Sequence, residues 1–144
     1  MGIISRELRD DSPLAIVEVS VSAFPAQSPE VVRTVAAIID TGASWCVITE
    51  ELARETGILD TPQIPSYLYD VSTKKESPQY AATIAVQDFT LTTLVYVTLV
   101  PPPNAVYRAL LGCDVLWHGR FQYDGMSSPK RFTIELPSGD FGMK

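Results

Sequence analysis

Apolar residues recur along this chain in short runs, either alternating with polar ones or built from β-branched residues, and turn-forming residues separate the runs. That spacing is the strand period, and it predicts a mainly β protein. Residues 14–21 and 31–39 are the first such pair, joined through a stretch holding Pro25 and Pro29. They read as a hairpin whose second strand runs straight into Asp40. Residues 45–49 make another short strand. From Thr49 the period changes to that of a helix of about two turns, with Thr49 as its cap, Glu50 and Glu51 in its first turn and Gly57 as its stop.

Residues 67–71 and 78–86 flank the polar stretch 72–77 and read as a longer hairpin, its tip at Ser72-Thr73-Lys74-Lys75-Glu76. The strongest strand covers 90–100 and is closed by Pro101-Pro102-Pro103-Asn104. Ala109-Leu110-Leu111-Gly112 leads into a short helical piece at 113–118, and 121–123 with 131–136 form a closing hairpin around Asp124-Gly125. No internal repeat or low-complexity segment interrupts the pattern. Residues 1–144 therefore read as one β domain with one or two short helices, long enough to bury a core.

Composition changes this picture little: 46% hydrophobic and 19% charged residues are ordinary for a soluble globular domain. Charge narrows the partners. With a net charge of −6 and eleven scattered basic residues, neither nucleic acid nor an anionic membrane is an expected partner. No run approaches the roughly 20 apolar residues that span a bilayer. Residues 1–11 carry Arg6, Glu7, Arg9 and Asp10 and lack the apolar stretch of an export signal. The two cysteines, Cys46 and Cys113, make neither a disulfide framework nor a zinc-ligand set and read as free buried thiols. The expected location is the reducing cytoplasm. His118 is the single histidine, so no His-based triad or zinc site can be built within one chain; a structural or surface role is expected for it. Trp45 and Trp117 read as core or pocket wall.

Chemistry concentrates at Asp40. It follows the apolar run Val35-Ala36-Ala37-Ile38-Ile39, so it sits where a buried strand breaks off, and a carboxylate there is costly unless hydrogen-bonded. Thr41 brings a hydroxyl, and Gly42 a backbone that turns tightly and lets its N–H approach a carboxylate. Ala43 and Ser44 keep the turn small. Taken alone, Asp40-Thr41-Gly42 also fits an ordinary β-turn.

The surroundings favour the chemical reading. Ile38-Ile39-Asp40-Thr41-Gly42-Ala43-Ser44, followed by the strand residues Cys46-Val47-Ile48, resembles the active-site loop of clan AA aspartic proteases. About seventy residues later, Leu110-Leu111-Gly112 with Asp114-Val115-Leu116 resembles the hydrophobic-hydrophobic-Gly motif and short helix of the same family. The hairpin and the long strand lie between them, which is the order of parts in a retropepsin. The resemblance covers about residues 31–136.

The resemblance implies a retropepsin-like acid protease half-domain: a closed β-sheet core, strands from the chain ends, and a homodimer with its site at the two-fold axis. One Asp-Thr-Gly per chain is half of what the chemistry needs, so Asp40 of each protomer would supply the dyad. Two carboxylates so close cannot both ionise. As is known for aspartic proteases as a class, they share one proton, one acting as general base on a water and the other donating to the scissile carbonyl. Neither carboxyl is the acid in advance. By the same resemblance Thr41 would tie the two loops together, with Ala43 supporting the turn, and Gly42 would offer its backbone to dyad and substrate. Ser44, Leu111 and the flap residues Val71, Ser72, Thr73 and Lys74 would contact a protein or peptide substrate, without metal or organic cofactor.

Some features depart from the viral pattern. The hairpin tip has no glycine, so it reads either as a stiffer, more polar flap, with Lys74 favouring acidic substrate residues, or as a plain solvated tip. Retroviral proteases pair an acid after Asp-Thr-Gly-Ala with an arginine after the hydrophobic-Gly motif, and Ser44 and Cys113 occupy those positions here. Both partners are replaced together, which leaves no stranded charge. The chain thus resembles cellular or bacterial retropepsin-like domains more than viral ones. A non-catalytic peptide-binding dimer and a latent monomer remain compatible with the sequence. Ala43 also stands where pepsin-like enzymes commonly carry a serine that hydrogen-bonds the ionised carboxylate. The expected outcome is a less acidic optimum than pepsin's; a rate profile peaking sharply near about pH 2 would contradict it.

Overall fold

A computed structural model describes residues 2–8, 14–69 and 74–142. Its strands are β1 (Gly2–Glu7), β2 (Ile16–Ala23), β3 (Arg33–Ile39) and β4 (Val47–Ile48). Helix α1 (Glu50–Glu55) and a 3-10 turn (Ile58–Asp60) follow. Then come β5 (Tyr67–Tyr69), β6 (Lys74–Glu76), β7 (Gln79–Val86), β8 (Phe89–Tyr96), β9 (Tyr107–Leu111), helix α2 (Cys113–Leu116), β10 (Arg120–Asp124), β11 (Arg131–Leu136) and β12 (Gly139–Gly142). The mainly β class with two short helices is as the pattern predicts.

Strand alternation decides which side chains go inside. Along β2 the inward set is Val17, Val19 and Val21, and along β8 it is Phe89, Leu91 and Val95, all buried. These rows face one another because six strands close into a barrel. β2 pairs β3 antiparallel, β3 pairs β9 parallel, and β9 pairs β4 antiparallel. β4 then pairs β8 parallel, β8 pairs β7 antiparallel, and β7 returns to β2. One hydrophobic core fills the barrel and continues under α1 through Leu52 and Ala53. β12 runs parallel to the first half of β8, where the ring of Phe141 stacks on Phe89 at 5.4 Å. His118 lies against both rings, at 5.6 and 5.2 Å, which bears out its structural role. Among the described residues no helix is long and apolar enough to cross a membrane.

Several expectations need correction. The second hairpin pairs Ile64 with Gln79 and Tyr67–Tyr69 with Lys74–Glu76 in one continuous register. Lys74, Lys75 and Glu76 are therefore strand rather than tip, and the expected flap residues Val71, Ser72 and Thr73 lie outside the described residues. Beyond Gln79 the chain leaves this hairpin, because the alternating apolar row of β7 is claimed by β8 and β2. The strand at 90–100 stops at Tyr96, well before the prolines, where its register along β4 slips: Tyr96 N–H donates to the Cys46 carbonyl at 3.1 Å, but Leu99 N–H, three residues on, donates to that of Ile48 at 3.1 Å. Two strands, β1 and β12, lie at the chain ends, where the resemblance implied strands but the local pattern placed none. β1 pairs β11 through the register Gly2↔Leu136 to Glu7↔Arg131, and its charged outer positions mask the inward Ile4. β12, flanked by glycines, has too weak a pattern to read. Trp117 is 86% exposed, neither core nor pocket wall. Cys113 is exposed, so only Cys46 fits the expectation of a buried thiol.

Helix α1 is the element whose ends the sequence states most clearly. The Thr49 hydroxyl accepts the Leu52 N–H at 3.1 Å, and Gly57 takes φ 79°, the left-handed conformation that ends helices. Outside, Arg108 of β9 pairs with Glu51 at 3.0 Å and with Glu55, and Arg33 of β3 reaches Glu55 at 3.4 Å. The Arg108 hydrogen bond holds the Glu55 carboxyl below its ordinary value. Its contribution is complete above the ordinary carboxylate pKa and is lost as pH falls through the lowered one. Replacing Thr49 with alanine orphans the capped N–H and is expected to cost about 1 kcal/mol of stability in urea unfolding; an unchanged midpoint would contradict the cap.

Candidate active site

Asp40 stands one residue past β3, at the rim where the parallel β3–β9 ladder ends. The ladder aligns Ile38 with Leu110 and Ile39 with Leu111, so the two motifs lie side by side. The backbone contact continues beyond the strands. Asp40 N–H donates to the Leu111 carbonyl at 2.9 Å, Cys113 N–H to the Ala43 carbonyl at 2.7 Å, and Asp114 N–H to the Ser44 carbonyl at 3.1 Å. The turn also closes on itself: Gly42 N–H donates to Asp40 Oδ1 at 2.8 Å, and Ala43 N–H to the Asp40 carbonyl at 3.3 Å. Asp40 is half-buried, while Thr41, Gly42 and Ser44 are exposed. Thus one carboxylate oxygen is fixed by a backbone donor on an open turn.

Gly112 makes this closeness possible. Its φ of −98° is open to any residue, so the requirement is for space. A Cβ there would stand 2.6 Å from the Trp45 carbonyl oxygen and 2.8 Å from that of Ala43, both fixed backbone atoms.

The loop is held from behind by Asp114, which the sequence reading missed as a structural hub. Its carboxylate accepts from Cys46 N–H at 3.3 Å, the Cys46 thiol at 3.3 Å, the Thr93 hydroxyl at 2.9 Å and Val115 N–H at 3.0 Å. Burial, followed by the nearby Asp114 charge, pushes the Cys46 thiol well above its usual pKa. Cys46 is therefore an inert neutral donor. The Cys113 thiol instead donates to the Thr41 carbonyl at 3.2 Å. One signal was available: Thr93 is a polar residue in the inward row of β8, between Leu91 and Val95, and a buried hydroxyl needs a partner.

Beside the loop lies an open cleft of about 540 Å³. Gly42, Ala43 and Ser44 form one side, Trp45 and Val47 continue it, and Ser66 and Tyr67 of the hairpin arm with Tyr96 of β8 complete it. Tyr96 ties the arm to the barrel: its hydroxyl donates to the Tyr67 carbonyl at 2.9 Å and meets Ser66 Oγ at 2.9 Å. Of the expected site residues, Asp40, Thr41, Gly42, Ala43, Ser44 and Leu111 come together here, Leu111 through its carbonyl, its side chain being buried in the core. Lys74 is the first residue of β6, opposite Tyr69. Among the described residues no group of three or more His, Cys, Asp or Glu side chains could hold a metal ion.

This architecture has a solved counterpart. The chain is similar to the crystal structure of a retropepsin-like aspartic protease from Rickettsia conorii, with a TM-score of 0.60 at 15% identity, over 95% of this chain and 92% of the other. The fold is therefore retropepsin-like. Residues 32–118 match the family described as "gag-polyprotein putative aspartyl protease", and the chain belongs to that family. No curated protein matches it. The match takes in both the Asp40 turn and the Gly112 motif, the two pieces that the ladder joins. Because Gly112 is where they touch, Gly112→Ala is expected to lower stability by about 1–3 kcal/mol in denaturant titration, and a wild-type midpoint would contradict the close approach.

Proposed function

We propose that the chain is an aspartic endopeptidase that works as a homodimer, with Asp40 of each protomer forming the catalytic dyad. The observation that carries this reading is the half-site itself: a half-buried carboxylate, oriented by Gly42 N–H at 2.8 Å, on an open turn locked to the Leu111-Gly112 motif. Family membership and fold support it. A single Asp-Thr-Gly turn per chain supports the dimer, since a lone carboxylate lacks the second group that acid–base cleavage of an amide requires.

In this reading the two carboxyls hold one proton between them. The ionised one takes a proton from a water whose oxygen attacks the scissile carbonyl carbon. The protonated one gives its proton to the carbonyl oxygen, leaving a tetrahedral diol. Collapse of the diol breaks the C–N bond: the proton first taken from water goes to the leaving nitrogen, and a diol hydroxyl returns its proton to the other carboxyl, so the pair again holds one. The Gly42 N–H stays on Asp40 throughout, so the orientation of the carboxylate is prepared before substrate arrives. Substrate is an extended peptide, lying along the cleft that Gly42, Ala43 and Ser44 border.

The test pairs wild type with Asp40→Asn on an unfolded protein substrate, with sedimentation over a concentration series. The expected result is cleavage by wild type and a loss of about a thousandfold or more in the variant. A dimer should accompany activity. Equal cleavage by both proteins, or none by wild type between about pH 3 and pH 7, would overturn the proposal in favour of peptide binding without hydrolysis.

A further inference from the structure

We infer that Tyr96 is a positioning residue that braces the hairpin arm against the strand following the Asp40 turn, and that this brace sets how long a bound peptide is held. The inference rests on the reading of the site as one that takes an extended peptide. Its own support is the place where the arm leaves the barrel. Ile64 and Gln79 exchange both backbone bonds, each at 2.8 Å, and Tyr67 stands opposite Glu76, so the register sets Pro65 directly opposite Pro78. The next rung toward β8 would need an N–H at position 78, which proline lacks, and the β7–β8 pairing ends at Gln79 opposite Tyr96. Past the two prolines, β5 and β6 form a two-stranded sheet of their own. A lone ribbon of this kind is marginal in water, so its angle depends on what holds it near the root.

Tyr96 spans that break. Its backbone stands on the barrel side, opposite Gln79, while its hydroxyl reaches past the prolines to the Tyr67 carbonyl at 2.9 Å and Ser66 Oγ at 2.9 Å. Tyr96 has one hydroxyl proton and gives it to Tyr67, so the Ser66 hydroxyl is the donor in the second bond. The two bonds form a chain in which each polarises the other, on a residue that is itself buried. The same residue grips the opposite wall: Tyr96 N–H donates to the Cys46 carbonyl at 3.1 Å, just past the turn. Trp45 and Val47, on either side of Cys46, line one side of the cleft, and Ser66 and Tyr67 line the other. One residue thus fixes the separation of the two walls, with its rigid ring as the spacer. Without the hydroxyl the ribbon keeps its own ladder but swings about the proline rung, and a peptide between the walls is released sooner.

The experiment uses the full chain carrying Asp40→Asn, so that peptide is bound and not consumed, with Tyr96→Phe added to remove the hydroxyl and keep the ring. Amide hydrogen exchange reads the brace. Stopped-flow release of a fluorescein-labelled decapeptide, the tightest binder of a random panel, reads its effect. The Ser77 N–H, which bonds the Ser66 carbonyl across the arm, is expected to exchange about tenfold faster, with the Ile64 and Gln79 N–H groups unchanged. Peptide release should quicken about fivefold. Ser66→Ala, which leaves the barrel intact, should move both readouts the same way by a smaller factor, and Ser66→Thr should restore them. Faster exchange on both sides of the prolines, unchanged exchange at Ser77, unchanged release or no bound peptide would overturn the inference. With Asp40 in place, Tyr96→Phe should raise KM while kcat stays within about twofold. Release that depends on Tyr96 without any cleavage by the wild-type chain defeats the protease and leaves the brace. Cleavage whose KM ignores Tyr96→Phe does the reverse.

Discussion

The parallel pairing of β3 with β9 is the constraint on which the rest depends. Parallel neighbours cannot be joined by a tight turn, so the chain must travel the whole hairpin and β8 before β9 can lie beside β3. What that excursion achieves is the Asp40 N–H to Leu111 carbonyl bond and the two that follow it, from Cys113 and Asp114. An isolated Asp-Thr-Gly turn would choose among several conformations. Tied at these points to a strand end and a helix, it has one.

Two kinds of force divide the work of holding the turn. Backbone hydrogen bonds set its position, and Gly112 admits them by having no side chain. Asp114 supplies the second kind, gathering Cys46, Thr93 and its own helix onto one carboxylate. A half-buried carboxylate with a full set of donors is well satisfied, and it links β8, the strand after the turn and α2. The cleft on the other side has the opposite character. Trp45, Tyr67 and Tyr96 are among its described lining, so aromatic rings border it where the turn itself carries a charge.

Much of this was legible in the sequence, for identifiable reasons. The β2–β3 hairpin, the Asp40 turn, α1 with its Thr49 cap and the β10–β11 hairpin all rest on local signals: alternation, a capping side chain and a terminal glycine. The order of two motifs gave the family. What stayed hidden depends on distant partners. Asp114 looks like an ordinary helix acid until Thr93 and Cys46 are placed against it. β1 escapes the alternation pattern because its value lies in the few inward residues that β11 covers. The division between β6 and β7 was misplaced because alternation alone does not say which neighbour a strand will pair with, and here β8 outcompeted the hairpin.

The β3–β9 ladder also has a consequence in time. Its residues are about seventy positions apart in the chain, so this pairing pays the loop-closure entropy of everything between and belongs to the slow, non-local part of folding. The β7–β8 hairpin and α1 need only nearby residues. A growing chain that has not yet released Leu111 and Gly112 can thus hold much of its local structure while the Asp40 turn has nothing to lock against. The carboxylate is made early, but its orientation comes late.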